Sequence, residues 1–182
     1  MYPLSLPTDW HCASSTIDNV SHFPARDWIQ SESSLTVRIK ELGIAFSLEV
    51  LNQTQTTLSP AQQKQLNTKD SSAIFREVLL KQGDTPLVYA QTIIPKSTLS
   101  GSEKGLAELG SQPLGQVLFQ SPQAIRSEIE FAQVEPSSVL GQFIERELQQ
   151  PINHKCYIRR SNFLLNAKPL LVCECFLPAL FE

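Results

Sequence analysis

Two long apolar runs in this chain are each cut by a short polar turn, and that arrangement limits the fold more than any other feature. The first sets AIFREVLL against LVYAQTII across KQGDTP, and the second sets CYIRRSNFLL against PLLVCECFLP across NAK. Connections this short return the chain antiparallel, because a parallel crossover needs a dozen residues or more. Both runs are rich in Val, Ile, Leu, Phe and Tyr, which fill a covered, pleated surface. The expected fold class is α+β, with a largely antiparallel sheet.

The remaining segments supply the helices and further strands. LTVRIKEL places Leu35, Ile39 and Leu42 on one helical face, with Ser33 or Ser34 to cap it and Gly43 to stop it. AFSLEVLN alternates, so Phe46, Leu48 and Val50 share one face of a strand. From Asn52 to Ser72 the chain is Gln/Thr/Ser-rich, with room for one short helix begun at Ser59-Pro60. Short helices are predicted on SEKGLAELG and, starting at Pro113, on PLGQVLF. AIRSEIEFA alternates again, with Ile125, Ile129 and Phe131 on one side and Arg126, Glu128 and Glu130 on the other. SSVLGQFIEREL has a helical period behind a Ser cap. Residues 1–26, punctuated by Pro3, Pro7 and Pro24, read as an irregular arm, and residues 1–182 as a single domain.

Composition narrows the function. A net charge of −3 and a pI of about 5.7 argue against a nucleic-acid-binding surface. The opening MYPLSLPTDW has neither the basic nor the apolar region of a secretory signal. Lys168 and Glu174 interrupt the C-terminal apolar runs well short of the roughly 20 residues that span a bilayer. No GxGxxG, GxxxxGK[ST] or GxSxG occurs. His11, His22 and His154 lie in loop-like stretches and read as exposed; they do not combine with Cys12, Cys156, Cys173 and Cys175 at zinc-finger spacing. The cysteines read as reduced core residues. A cytoplasmic monomer is expected, with no metal, no cofactor and no membrane insertion.

Two residues break the apolar pattern. Arg76 shares a strand face with Ile74, Val78 and Leu80, while Glu174 sits in LLVCECFL, where neither face is polar. A buried charge must be paired or neutralised. Either the two pair with each other or one points outward at a sheet edge. Alternatively they mark opposite ends of an apolar cavity, whose ligand is a small anion with a hydroxyl opposite its acid group. Arg159 and Arg160 lie on opposite faces of one strand, so at most one enters a shared cavity.

At these residues the chain resembles the chorismate pyruvate-lyase family. REVLL, GDTPLVYAQTIIPKSTLSG, LAELGSQPLGQVLF and RRSNFLLNAKPLLVCECFLPA carry the likeness, as does the stretch holding Trp28, Ser34, Thr36 and Arg38. It extends over roughly residues 26–178, with a looser match at 53–67 and a connection from Gln133 to Lys155 longer than the family's. The resemblance implies an antiparallel sheet whose buried ligand cavity lies under helical flaps. It implies that Arg76 holds the ring carboxylate with help from the Leu114 amide, that Glu174 meets the ring hydroxyl and that Leu35 covers the ligand. The implied reaction converts chorismate to 4-hydroxybenzoate and pyruvate, the step supplying the ubiquinone ring. For the second, enolpyruvyl carboxylate Arg160 is the candidate. A non-catalytic aromatic-acid-binding domain of the same fold, as in effector-sensing regulators, is the alternative.

Overall fold

The computed structural model describes residues 2–43 and 45–182. Among them, eight strands form one sheet: β1 (His11–Cys12), β2 (Phe46–Thr57), β3 (Ser72–Gln82), β4 (Thr85–Pro95), β5 (Ala124–Arg126), β6 (Glu130–Val134), β7 (Cys156–Leu165) and β8 (Lys168–Phe176). The order is β1-β6-β7-β8-β4-β3-β2, with β5 also on β7, and every pairing is antiparallel. The expected α+β class and both hairpins are therefore present. Gly83 turns the first hairpin at φ 57°, and Asn166 and Ala167 turn the second at φ 51° and 63°. Positive φ at both central residues is the turn whose twist suits a two-residue hairpin loop.

The helices are α1 (Ala13–Thr16), α2 (Phe23–Gln30), α3 (Leu35–Glu41), α4 (Pro60–Leu66), α5 (Leu114–Gln120) and α6 (Val139–Gln142), joined by a 3₁₀ segment at Gly101–Glu108. The sheet is covered on both faces. Leu4, Leu66 of α4 and Leu140 of α6 pack against the face carrying Phe75, Tyr89, Ile158 and Cys173. On the other face, Trp28 and Ile29 of α2 and Leu35 and Ile39 of α3 cover Val78, Val88 and Phe176. Next to them Leu106 and Leu114 cover Ile94, Phe163 and Leu170. No described helix is long and apolar enough to cross a membrane.

Three expectations are corrected. The arm at 1–26 is not wholly irregular: β1 pairs with β6, α1 follows, and Pro24 sits in the first turn of α2 rather than breaking a helix. The arm's start is held by Glu77, a fully buried carboxylate that accepts from the Leu4 amide at 2.7 Å and the Tyr89 hydroxyl at 2.6 Å. β2 does not end at Asn52 but runs to Thr57, because it is the sheet's edge, where a half-wet strand needs no apolar alternation. A bulge between Val50 and Asn52 also shifts its phase. Finally, AIRSEIEFA is two strands, β5 and β6, lying end to end along β7 with residues 127–129 between them. The break moves the alternation by one. Ile125 faces solvent at 65% exposure, while Arg126 and Phe131 turn to the same covered face.

Candidate active site

Sheet register assembles the polar groups of one cavity. Arg76 on β3 stands opposite Thr92, Thr92 opposite Val172, and Val172 opposite Ser161, forming a row across four strands. A second row, two residues along the strands, runs Val78, Ala90, Glu174, Arg159. The two rows are roughly 7 Å apart, the rise of two strand residues. Both face α3 and α5, and the space between holds an apolar cavity lined by Leu48, Val78, Leu80, Leu118, Phe163 and Val172.

The two helices meet over the cavity as flaps. Leu35 and Thr36 line it from α3, and Leu114 and Gly115 from α5. The fit between them is close: a Cβ on Gly115 would lie 3.3 Å from Ser34 Oγ. Ser34 does precede α3 as its cap residue, but its hydroxyl makes no capping bond and is buried without a partner among the described residues. The expected side-chain cap is thus absent, because that hydroxyl faces the α5 flap. The cavity between the flaps is narrow, about 50 Å³.

Arg76 is 2% exposed and has no carboxylate partner among the described residues. Its guanidinium donates to neutral oxygens: the Gly110 carbonyl at 2.8 Å, the Gln112 carbonyl at 3.4 Å and Gln53 Oε1 at 3.3 Å. Burial lowers its pKa, the mark of a cation lacking an anion. Glu174 is not its partner. The Glu174 carboxylate instead accepts from Arg159 Nε at 2.7 Å through Oε2, and Oε1 has no partner among the described residues. Arg159, 1% exposed, also donates to the carbonyls of Trp28, Ile29 and Ser31. The pair therefore fastens the chain end of α2 to the sheet.

Arg76, Glu174, Leu35 and Leu114, the residues to which the family resemblance assigns the ligand, line one cavity, but Arg160 does not. It lies on the opposite face of β7, paired with Glu130 at 2.9 Å and stacked over Trp10 at 4.2 Å. The parity of the strand sends one of the two neighbouring arginines to each face, and the cavity receives Arg159. The two-residue turn at 166–167 held that information, since it sets Glu174 opposite Arg159. Arg126 also lines the cavity and was hidden by the break after β5. Of the cysteines, Cys156, Cys173 and Cys175 are buried and all four are unbridged. Burial pushes the Cys173 thiol up to about 12.

An antiparallel sheet with a narrow, arginine-lined cavity under two helical flaps defines a small-molecule-binding α+β domain. Its fold is shared with the effector domain of PhnF from Mycobacterium smegmatis, at a TM-score of 0.60 and 11% identity, covering 82% of this chain and 91% of that one. Within this class the chain belongs to the chorismate lyase family, whose family model matches residues 9–182. It is 38% identical over 180 residues to a probable chorismate pyruvate-lyase of Pseudoalteromonas translucida, covering 99% of this chain and 97% of that relative. Another protein of that name, from Psychromonas ingrahamii, is 39% identical over 153 residues, covering 84% and 82%.

Proposed function

We propose that this protein is a lyase that converts chorismate to 4-hydroxybenzoate and pyruvate, supplying the ring of ubiquinone-type quinones. The observation that carries the reading is the pairing, in one apolar cavity, of Arg76 and a Glu174 oxygen that have, among the described residues, no carboxylate and no donor respectively. The ring carboxylate forks onto Arg76, and the first-turn amide of Leu114, free of any intrahelical acceptor, assists it. The C4 hydroxyl donates to Glu174 Oε1. Leu35 closes the flap above the ring.

The reaction removes the C4 hydrogen and breaks the C3–O ether bond, and the hydrogen ends on the methylene carbon of the departing enolpyruvyl group as pyruvate. Aromatisation drives it, so no electrons pass to or from an outside carrier. Whether the hydrogen moves in one cyclic array or by way of a base, the protein's part is the same. It holds the ether over the ring and supplies fixed charges in a water-excluding space.

The test is incubation of the purified protein with chorismate, following both products. Equimolar 4-hydroxybenzoate and pyruvate are expected. Tight binding of 4-hydroxybenzoate with no turnover would support an aromatic-acid sensor instead.

A further inference from the structure

The cavity carries more positive charge than a monocarboxylate needs. Three guanidinium groups, from Arg76, Arg126 and Arg159, line it against one carboxylate, Glu174. Arg159 is matched with Glu174, which leaves two cations without an ion-pair partner among the described residues. Arg76 is one, and Arg126 is the other. The Arg126 contacts are neutral: Nε donates to Ser161 Oγ at 3.0 Å and Nη1 to the Ser31 carbonyl at 3.3 Å, while its guanidinium carbon lies 5.5 Å from the Phe163 ring centre. No described carboxylate makes an ion pair with it. Burial first, then the neighbouring Arg159 cation, pull its pKa down to about 10, against the weaker opposite pull of the Glu174 and Glu32 carboxylates.

Its position is equally specific. Ser161 ends the cross-strand row that starts at Arg76, so the Arg126 head group sits at the far end of that row. Glu174 stands between them, two residues to the side. A ring held by Arg76 at its acid group and by Glu174 at its hydroxyl therefore directs the neighbouring ring carbon, C3, toward Arg126 or toward the flaps. Arg126, with Phe119 and Phe163, also forms the wall between this cavity and an adjoining open cleft.

We infer that Arg126 is the anchor for the second carboxylate of the substrate, the one on the C3 enolpyruvyl ether. This rests on the chorismate reading of the cavity and assigns the group which that reading leaves without a donor. These two guanidiniums then match the two carboxylates of the substrate. The product keeps only the first carboxylate, so cleavage releases the Arg126 contact and retains that of Arg76.

The experiment compares two stable ligands by calorimetry: 4-hydroxybenzoate, and the dicarboxylate 3-(1-carboxyethoxy)-4-hydroxybenzoate. Arg126→Met is expected to weaken the dicarboxylate about 100-fold, as for a removed partner of a buried charged group, and to change 4-hydroxybenzoate less than about threefold. The chorismate kcat/KM falls with the dicarboxylate affinity. Arg126→Lys, which keeps the charge and guards against misfolding of the Met variant, is expected to lose about tenfold on the dicarboxylate alone. Parallel loss of both ligands, or no selective loss in either variant, overturns the assignment, as does a wild type that does not bind the dicarboxylate. A wild type without chorismate turnover but with the selective Arg126 effect would refute the lyase reading and leave the carboxylate site standing.

Discussion

Replacing Glu174 separates its structural role from its ligand-reading role. In Glu174→Ala, Arg159 loses its one carboxylate partner among the described residues while keeping the carbonyls of Trp28, Ile29 and Ser31. Breaking a buried pair costs about 3–5 kcal/mol. The remaining acceptors, and the 17% exposure of the Glu174 side chain, reduce that to about 2–3 kcal/mol here. For a chain of this length that is a fall in Tm of about 5–10 °C. The ligand effect is distinct. Benzoate offers Oε1 of the wild type no donor, and an acceptor left unmet once the bound ring covers it costs about 1–3 kcal/mol. 4-Hydroxybenzoate should therefore bind about 5- to 150-fold more tightly than benzoate. In Glu174→Ala that preference should shrink to less than about threefold. Glu174→Gln should keep part of it, because an amide turned with its oxygen toward Arg159 presents an N–H to the ligand hydroxyl oxygen. Thermal melts and calorimetry on the three proteins decide the matter. A wild type that binds benzoate and 4-hydroxybenzoate equally would refute the reasoning, and Glu174 would be left as the partner of Arg159 alone.

Further outcomes follow from the same geometry. Arg76→Lys should lose about 2–5 kcal/mol of 4-hydroxybenzoate affinity, nearly as much as Arg76→Ala, since an ammonium cannot hold the Gly110 carbonyl and fork onto a carboxylate together; calorimetry reads it, and wild-type affinity in the Lys variant would remove the anchor. Activity should survive dialysis against EDTA, because the elimination is redox-neutral and its charge is balanced by arginines; an activity lost and then restored by a divalent ion would contradict this. Glu103 ties the 3₁₀ segment to the β7–β8 turn, and Lys168 foremost, then Ser102 and Asn166, hold its carboxyl down to about 2. A carboxyl depressed on folding adds stability above its unfolded pKa of roughly 4.3 and loses it as pH falls through the folded value. The Tm difference between wild type and Glu103→Gln should thus be full near neutrality and close between about pH 4 and pH 2; a difference constant across that range would exclude the contact.

The parts of the fold that could be read from sequence are those where local chemistry and burial agree. Both hairpins combine turn residues with largely covered strands, so type, partner and direction are all legible. Arg76 and Glu174 stood out because each is a charge set in an apolar face. The misreadings have local causes. β2 was cut short because an edge strand is allowed polar residues such as Gln53 and Gln55. Alternation groups Arg126 with Glu128 and Glu130 because it carries no sign of the break at 127–129, which reverses the side that the following residues face. Residue type alone does not separate Arg160 from Arg159, whereas the turn at 166–167 sets Arg159 against Glu174. Ser34 looked like a cap by residue type, and only its packing against Gly115 shows that its hydroxyl does something else.

The most direct test of the cavity's role is a crystal structure of the protein with 4-hydroxybenzoate bound. The carboxylate should lie within hydrogen-bonding distance of the Arg76 guanidinium and the Leu114 amide, the hydroxyl on Glu174 Oε1, and the ring beneath Leu35. A ligand seated elsewhere, or reversed so that its carboxylate meets Arg159 in place of Arg76, would contradict the account.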